Sequence, residues 1–366
     1  MANESIQNVI SKFNYAGALI DIKDCNKGHI NGTYFVKCEE PNGKKHKYVL
    51  QSINTGIFKH PDQVMENIIH VTEHIKSKLI EEGKDPEQGT INIVYTKDGH
   101  YSYIDADKNY WRSYVFIEGD CYQSADSPEL LERVGKAFGH FQRQLADFDA
   151  SQLYETIPNF HNTVSRFADF ETAVREDKAG RASSICDEIR FILDRKSQCS
   201  FIVDGIADGR FPLRVTHNDT KLNNIMMDPV TGEGKCVIDL DTVMPGSVLA
   251  DFGDAIRFGA SSAAEDEKDL SKVFVRLEMF EGFTKGFIQG LESSLTKEEV
   301  LALPMGAYIL TLEQSMRFLG DYLNGDTYFR IHYPEHNLDR ARNQMKLVQD
   351  MEEKMNQMNA IVEKYL

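Results

Sequence analysis

The chain has 366 residues, of which 41% are hydrophobic, a composition and length that allow two lobes and a substantial core. The formal net charge of −16 argues against a nucleic-acid partner, because such binding depends on clustered Lys and Arg. The first residues lack the basic and apolar regions of a signal peptide, and the longest apolar run is too short to span a bilayer. We therefore expect a cytoplasmic protein without membrane contact.

The first 120 residues predict a small sheet and one long helix. Residues 5–13 suit a short leading helix, and strands at 19–22 and 34–37 flank the glycine-containing turn C-N-K-G-H-I-N-G-T. Backbone N–H groups of such a turn can approach phosphate oxygens, although a plain β-turn explains the sequence equally well. Further elements are predicted as a strand at 47–53, an amphipathic helix at 61–82, a hairpin of 91–95 with 101–104, and a strand at 111–117.

Helical patterns dominate the rest of the chain. Ser127 and Pro128 place an N-cap and a first-turn proline at the start of one helix. Thr296 and Glu299 form a capping box for another, which runs towards Leu323. Glycines at 282, 286 and 290 recur every four residues and predict close helix packing. Other helices are predicted at 163–178, at 183–196, at 267–291 and from a cap at Asn337 to the C-terminus.

A polar loop between apolar flanks, in V-T-H-N-D-T-K-L-N-N-I-M-M-D at 215–228, precedes C-V-I-D-L-D at 236–241. The pattern predicts strand, loop, strand, turn and strand, with the loop exposed at the end of a buried scaffold. Phosphoryl transfer needs a carboxylate for the attacking hydroxyl and oxygen ligands for Mg²⁺. We predict Asp219 as the base and Asn224 and Asp239 as the magnesium ligands. A polar hairpin loop rich in turn residues is the alternative.

Four segments resemble the N-acetylhexosamine 1-kinases, within the aminoglycoside phosphotransferase and choline kinase group. They are G-H-I-N-G-T-Y (28–34), L-R-V-T-H-N-D-T-K-L-N-N (213–224), D-F-G-D-A-I-R-F-G-A (251–260) and Y-P-E-H-N-L (333–338). The resemblance implies an α+β, bilobed, protein-kinase-like fold with a small, mainly antiparallel β N-lobe and a larger, mostly helical C-lobe. We expect residues 1–120 to form the nucleotide-binding lobe and its hinge, and residues 121–366 the catalytic and substrate-binding lobe.

In the N-lobe the resemblance implies a nucleotide site with one unusual position. Gln51 stands where related kinases carry a lysine or arginine for the α- and β-phosphates. An amide cannot supply that charge, so Lys27, Lys37, Lys47 or a second metal must assist, or the nucleotide site is nonfunctional. The other residues expected to contact the nucleotide are Gly28, His29, Asn31 and Thr33.

In the C-lobe the resemblance implies supporting and substrate-binding residues. His217 and Asp251 are expected to support the catalytic loop, although Asp251 belongs to a D-F-G tripeptide that marks the metal aspartate in protein kinases. Asp241 could assist the metal, but a solvated or N-capping role is equally compatible. Arg317 and Tyr328 are expected to hydrogen-bond sugar hydroxyls, because a guanidinium and a phenol suit polyhydroxylated ligands. Pairing of Arg317 with a carboxylate such as Asp321 is the alternative.

These observations predict an ATP- and Mg²⁺-dependent kinase that phosphorylates the anomeric hydroxyl of an N-acetylhexosamine, GlcNAc or GalNAc, giving the sugar 1-phosphate. The reaction type follows from the residues, whereas the amino sugar comes only from the resemblance. One alternative keeps the chemistry and changes the acceptor to choline, homoserine, methylthioribose or an aminoglycoside. Another is a catalytically silent nucleotide-binding scaffold, which the missing lysine suggests.

Overall fold

The N-terminal part of the chain forms a sheet with one helix on each side. We describe it from a computed structural model, which describes residues 2–25 and 31–366. Its elements are α1 (Ala2–Ile10), β1 (Ala18–Asp24), β2 (Gly32–Glu39), β3 (Lys45–Ile53), α2 (Pro61–Glu81), the short α3 (Pro86–Gly89), β4 (Tyr103–Ile104) and β5 (Tyr110–Val115).

The five strands lie in the order β1-β2-β3-β5-β4, and all neighbouring strands are antiparallel. Because side chains alternate along a strand, each sheet face has its own residues. One face packs Val36, Cys38, Leu50 and Trp111 against α1. On the other face a row crosses three strands: Thr33 of β2 is in register with Gln51 of β3, and Gln51 with Arg112 of β5.

The C-terminal part is larger and mostly helical, with two short two-stranded sheets. β6 pairs with β9, and β7 pairs with β8, so the loop after β6 and the segment after β8 are brought together. Its elements are α4 (Pro128–Gln144), α5 (Thr163–Glu176), α6 (Cys186–Leu193), α7 (Phe201–Ala207), β6 (Arg214–Thr216), β7 (Ile225–Met227), β8 (Gly234–Val237), β9 (Met244–Gly246), α8 (Val248–Gly259), α9 (Leu277–Leu291), α10 (Lys297–Leu323) and α11 (His336–Glu363).

Glycines let α4 and α9 pack backbone to backbone. A methyl group on Gly286 would overlap the carbonyl oxygen of Glu132, and one on Gly139 would overlap that of Phe287. Helices this close have no room for a Cβ at the crossing. The prediction that the glycine repeat of α9 permits close helix packing is confirmed.

Three element predictions are wrong. Residues 91–95 are not a strand; Ile93 forms only an isolated bridge to Tyr114. The helix predicted at 267–291 starts only at Leu277, because Val275 bridges to Ser261 in extended conformation. The last helix begins at His336, so the residue predicted as its cap, Asn337, lies within the first turn and bonds Asp321 and Asp326 instead.

The predicted fold class is confirmed: an antiparallel five-stranded N-terminal sheet precedes a larger helical C-terminal part, as in bilobed kinase-like proteins. The chain leaves β5 towards the predicted hinge at 118–120, where Asp120 and Met227 of β7 exchange two backbone hydrogen bonds of 2.8 Å each. Among the described helices, none combines the length and apolar composition that a bilayer crossing requires.

Candidate active site

The loop from His217 to Asn224 is held from below by a buried carboxylate. Asp251, in the first turn of α8, accepts the N–H of His217 at 2.9 Å and that of Asn218 at 2.7 Å, one on each oxygen. Gln142 of α4 donates to the same carboxylate. Asp251 is 1% exposed, so these bonds lie in the interior and fix the loop backbone. The D-F-G aspartate therefore lies beneath the loop, on a helix.

The ring of His217 joins this loop to the end of β8. Its Nε2 donates to the carbonyl of Ile238 at 2.9 Å, and its Nδ1 accepts the N–H of Asp219 at 3.2 Å. The ring is fully buried against the edges of Phe138 and Phe141. Since Ile238 immediately precedes Asp239, one side chain sets the spacing between the two predicted functional aspartates.

Asp219 and Asn224 are in direct contact. Asn224 Nδ2 donates to the backbone carbonyl of Asp219 at 2.8 Å and to its Oδ2 at 3.2 Å. Lys221 Nζ lies 2.6 Å from Asp219 Oδ1. Burial opposes the charged ammonium, but Asp219 and Asp254 outweigh it and raise the pKa of Lys221. Both hydrogen bonds that the Asn224 amide donates go to Asp219, and no described residue donates to Asn224 Oδ1.

Asp239 carries a carboxylate whose pKa is shifted. It follows β8 with a left-handed backbone, φ +61°, and the residue is exposed to solvent, although many protein atoms lie around its carboxylate. Burial, then repulsion from Asp241 and Asp219, raises its pKa to about 6. Within the described part of the chain, no group hydrogen-bonds or ion-pairs with this carboxylate.

These groups suit a magnesium ion bound together with phosphates. Among residues 2–25 and 31–366, none donates to the Asn224 amide oxygen or pairs with the Asp239 carboxylate, whose raised pKa a bound cation would lower. No set of three or more His, Cys, Asp or Glu side chains forms a metal cage among the described residues. Mg²⁺ does not require one, because waters and substrate phosphates complete its octahedron.

Asp241 is neither solvated nor a helix cap, and its partner is a residue that the sequence analysis missed. It is buried and ion-paired with Arg112 of β5, which is 3% exposed. Gln51 Oε1 accepts from Arg112 Nε at 3.0 Å and from Nη2 at 2.7 Å, and Gln51 Nε2 donates to Thr33 Oγ1 at 3.1 Å. The sequence does carry a signal for this ion pair: Arg112 is a single arginine within the predicted apolar strand 111–117, and an arginine is rarely buried without a partner.

The predicted nucleotide-binding residues are placed as follows. Gly28 and His29, like the candidate cation Lys27, lie outside the described residues. Asn31 Nδ2 donates to Asp241 at 2.6 Å, so Asn31 lies beside the segment that is predicted to bind the metal. The other two candidate cations are at the surface, where Lys37 pairs with Asp21 at 3.4 Å and Lys47 pairs with Glu118.

A second group of buried charges lies on the other side of the loop. His161 Nε2 contacts the carbonyl oxygen of Asn218 at 3.3 Å, and its Nδ1 lies 2.9 Å from Glu313 of α10. Burial favours neutral His161, but Glu313 outweighs it and raises the histidine pKa. The second Glu313 oxygen accepts from Thr163 at 3.1 Å, so both carboxylate oxygens have partners.

Arg317 lies one turn beyond Glu313, among aromatic rings. Its guanidinium is 5.5 Å from the ring centre of Phe160, 5.8 Å from that of Tyr328 and 5.5 Å from that of Phe329. The structure therefore brings together the two predicted substrate-binding residues. The alternative pairing of Arg317 with Asp321 is wrong, because Asp321 accepts backbone N–H groups of residues 327–329.

The sheet, the helical C-terminal part and the loop H-N-D-T-K-L-N-N define a protein with the bilobed kinase-like fold. Comparison with family models matches residues 21–274, more than half of the chain, to the Phosphotransferase enzyme family. The chain belongs to this family.

Solved structures with a similar fold include small-molecule kinases. An amicoumacin kinase in complex with AMP-PNP, Ca²⁺ and Ami gives a TM-score of 0.61 at 14% identity, over 97% of this chain and 94% of that one. A choline kinase from Cryptosporidium parvum gives 0.58 at 14% identity, over 94% and 92%. A microcompartment-associated aminopropanol kinase gives 0.56 at 14% identity, over 97% and 98%. At these identities the likeness concerns the fold.

Proposed function

We propose that this protein transfers the γ-phosphate of ATP to a hydroxyl group of a small molecule, and that the acceptor is the anomeric hydroxyl of an N-acetylhexosamine. The observation that carries the proposal is the grouping of three side-chain oxygens: that of the partly exposed Asp219 carboxylate, and those of the Asn224 amide and the Asp239 carboxylate, for which the described part of the chain provides no donor or cation. Family membership supports the reaction class.

In the proposed mechanism the chain binds the magnesium nucleotide, orients the acceptor and deprotonates its hydroxyl group. Asn224 and Asp239 would hold Mg²⁺, which when bound neutralises the nucleotide phosphates. Asp219 would accept a hydrogen bond from the acceptor hydroxyl and take its proton as phosphate transfers in line. Lys221 beside Asp219 adds a positive charge next to the reacting groups. An anomeric hydroxyl is more acidic than an ordinary alcohol, so a carboxylate is a sufficient base.

The charges on the acceptor side favour a neutral acceptor over a cationic one. Choline and aminoglycosides are cations and need unpaired carboxylates or an aromatic cage without a competing positive charge. Here Glu313 is bonded on both oxygens, and Arg317 already occupies the space between the aromatic rings. Arg317 and Tyr328 offer hydrogen-bond groups for sugar hydroxyls and for the acetamido carbonyl.

An acceptor panel with labelled ATP and Mg²⁺ tests this proposal. The purified chain is expected to phosphorylate GlcNAc or GalNAc and to be inactive on choline, homoserine, methylthioribose and aminoglycosides. The product should lose its reducing end, since a 1-phosphate blocks the anomeric carbon whereas a 6-phosphate leaves it free. Transfer to a cationic acceptor alone would contradict the amino-sugar assignment and leave the phosphotransfer chemistry standing. Absence of transfer to every acceptor would contradict the proposed function.

A further inference from the structure

The residue at the lysine position of β3 is engaged with an arginine of the neighbouring strand. Gln51 accepts two hydrogen bonds from Arg112 through a single oxygen and donates to Thr33 through its nitrogen. A lysine at position 51 could not accept either bond, and its ammonium would face the guanidinium directly. Glutamine at 51 is therefore the partner that an arginine at 112 requires.

The same guanidinium joins the sheet to the metal-binding segment. Its Nη1 pairs with Asp241, and the two side chains are 4% and 6% exposed, so the ion pair is desolvated. Asp241 also accepts from Asn31, whose Oδ1 in turn accepts the N–H of Asn54 at 2.9 Å. The carboxylate two residues beyond Asp239 is thus attached to two regions of the N-terminal sheet.

The positive charge of Arg112 balances part of the negative charge around Asp239. Three carboxylates, Asp219, Asp239 and Asp241, repel one another in this region, and Lys221 is paired with the first of them. Arg112 is ion-paired with Asp241, two residues beyond Asp239, so its positive charge lies within this group of carboxylates. Without this arginine, three carboxylates would face one cation instead of two, and the larger excess of negative charge would oppose the approach of nucleotide phosphates.

We propose that Arg112 is a positioning residue for the magnesium nucleotide: from β5 it supplies the positive charge that protein kinases place on β3, and through Asp241 it fixes the segment that carries Asp239. Gln51 holds this arginine rather than a phosphate. The inference rests on the proposed function, because it concerns the same nucleotide site. Arg112, rather than the surface residues Lys37 and Lys47, is then the cation that compensates for the missing lysine of β3.

The test separates the charge from its structural contribution. Arg112→Met leaves Asp241 buried without its cation, so both thermal stability and MgATP affinity should fall. Arg112→Met combined with Asp241→Asn removes both charges, so stability should recover in part, although Gln51 Oε1 still lacks the two donors that Arg112 supplied. MgATP affinity, measured by calorimetry without acceptor, should stay at least about tenfold weaker. Asp241→Asn alone, which keeps Arg112, is the matched control for the double variant.

A lysine restored to β3 provides the decisive variant. Gln51→Lys in the Arg112→Met, Asp241→Asn background should regain most of the lost MgATP affinity, because the cation returns to the same face of the sheet. Gln51→Lys in the parent should weaken binding, because two cations then meet. The inference is overturned if the double variant binds MgATP as the parent does, or if the added lysine restores nothing. A parent chain that binds no MgATP would instead refute the proposed function itself.

Discussion

Replacing Asp251 by asparagine should destabilise the fold and slow catalysis together. The buried carboxylate accepts two loop N–H groups and the amide of Gln142. An asparagine keeps one acceptor oxygen and turns an NH₂ group towards donors, so at least one charge-assisted hydrogen bond is lost and one buried donor is left unsatisfied. At about 1.5–3 kcal/mol for a hydrogen bond to a charged group, we expect the free energy of unfolding to fall by about 3 kcal/mol. A displaced loop should also lower kcat by about 10²-fold.

Ser247→Ala is the matched control for this variant. Ser247 caps the same helix by accepting the N–H of Leu249 at 3.2 Å. Its loss should reduce stability by about 1 kcal/mol and leave kcat unchanged, because the loop N–H groups keep their partner. Urea unfolding and steady-state kinetics of both variants give the comparison. If Asp251→Asn is no less stable than Ser247→Ala, or turns over at the parent rate, the carboxylate does not brace the loop.

Three further predictions concern the metal, the acceptor side and pH. Asp239→Asn, or chelation of divalent ions by EDTA, should abolish magnesium-dependent ATP binding in calorimetry with little loss of stability; tight magnesium-dependent binding by the variant would remove Asp239 from the metal site. Arg317→Ala should raise KM for the acceptor at least about tenfold and leave KM for ATP unchanged, whereas an equal rise in both would place Arg317 elsewhere. The pKa of His161 is raised above its ordinary 6.5 by Glu313, so its stabilising pair is complete below that value and is lost as pH rises through the raised pKa. Parent stability relative to His161→Gln should therefore decline above pH 6.5, and a difference that does not change with pH would show that the pair is not ionic.

The proximity of the loop residues could be predicted because their sequence pattern is local. Asp219 and Asn224 lie within one short loop, and the hairpin that follows returns the chain to Asp239, so a contiguous stretch of sequence specifies their neighbourhood. The capping box at Thr296 is similarly local, and the structure contains it. Strands, helices and caps of this kind are encoded within a few residues.

The Arg112 network could not be predicted, because its partners come together only through the fold. Gln51 and Arg112 meet by cross-strand register, and Asp241 reaches them from the C-terminal part of the chain. The failed helix start at 267–276 has a related cause. There the buried residues Val273 and Val275 alternate with exposed ones, so the true period is two, and the extended segment depends on a bridge to Ser261.

The central claim is tested most directly by phosphoryl transfer from labelled ATP in the parent and in Asp219→Ala. If the Asp219 carboxylate orients and deprotonates the acceptor hydroxyl, kcat should fall by about 10³-fold or more, while calorimetry shows MgATP bound and thermal unfolding shows the fold retained. Transfer by Asp219→Ala at the parent rate would contradict the account.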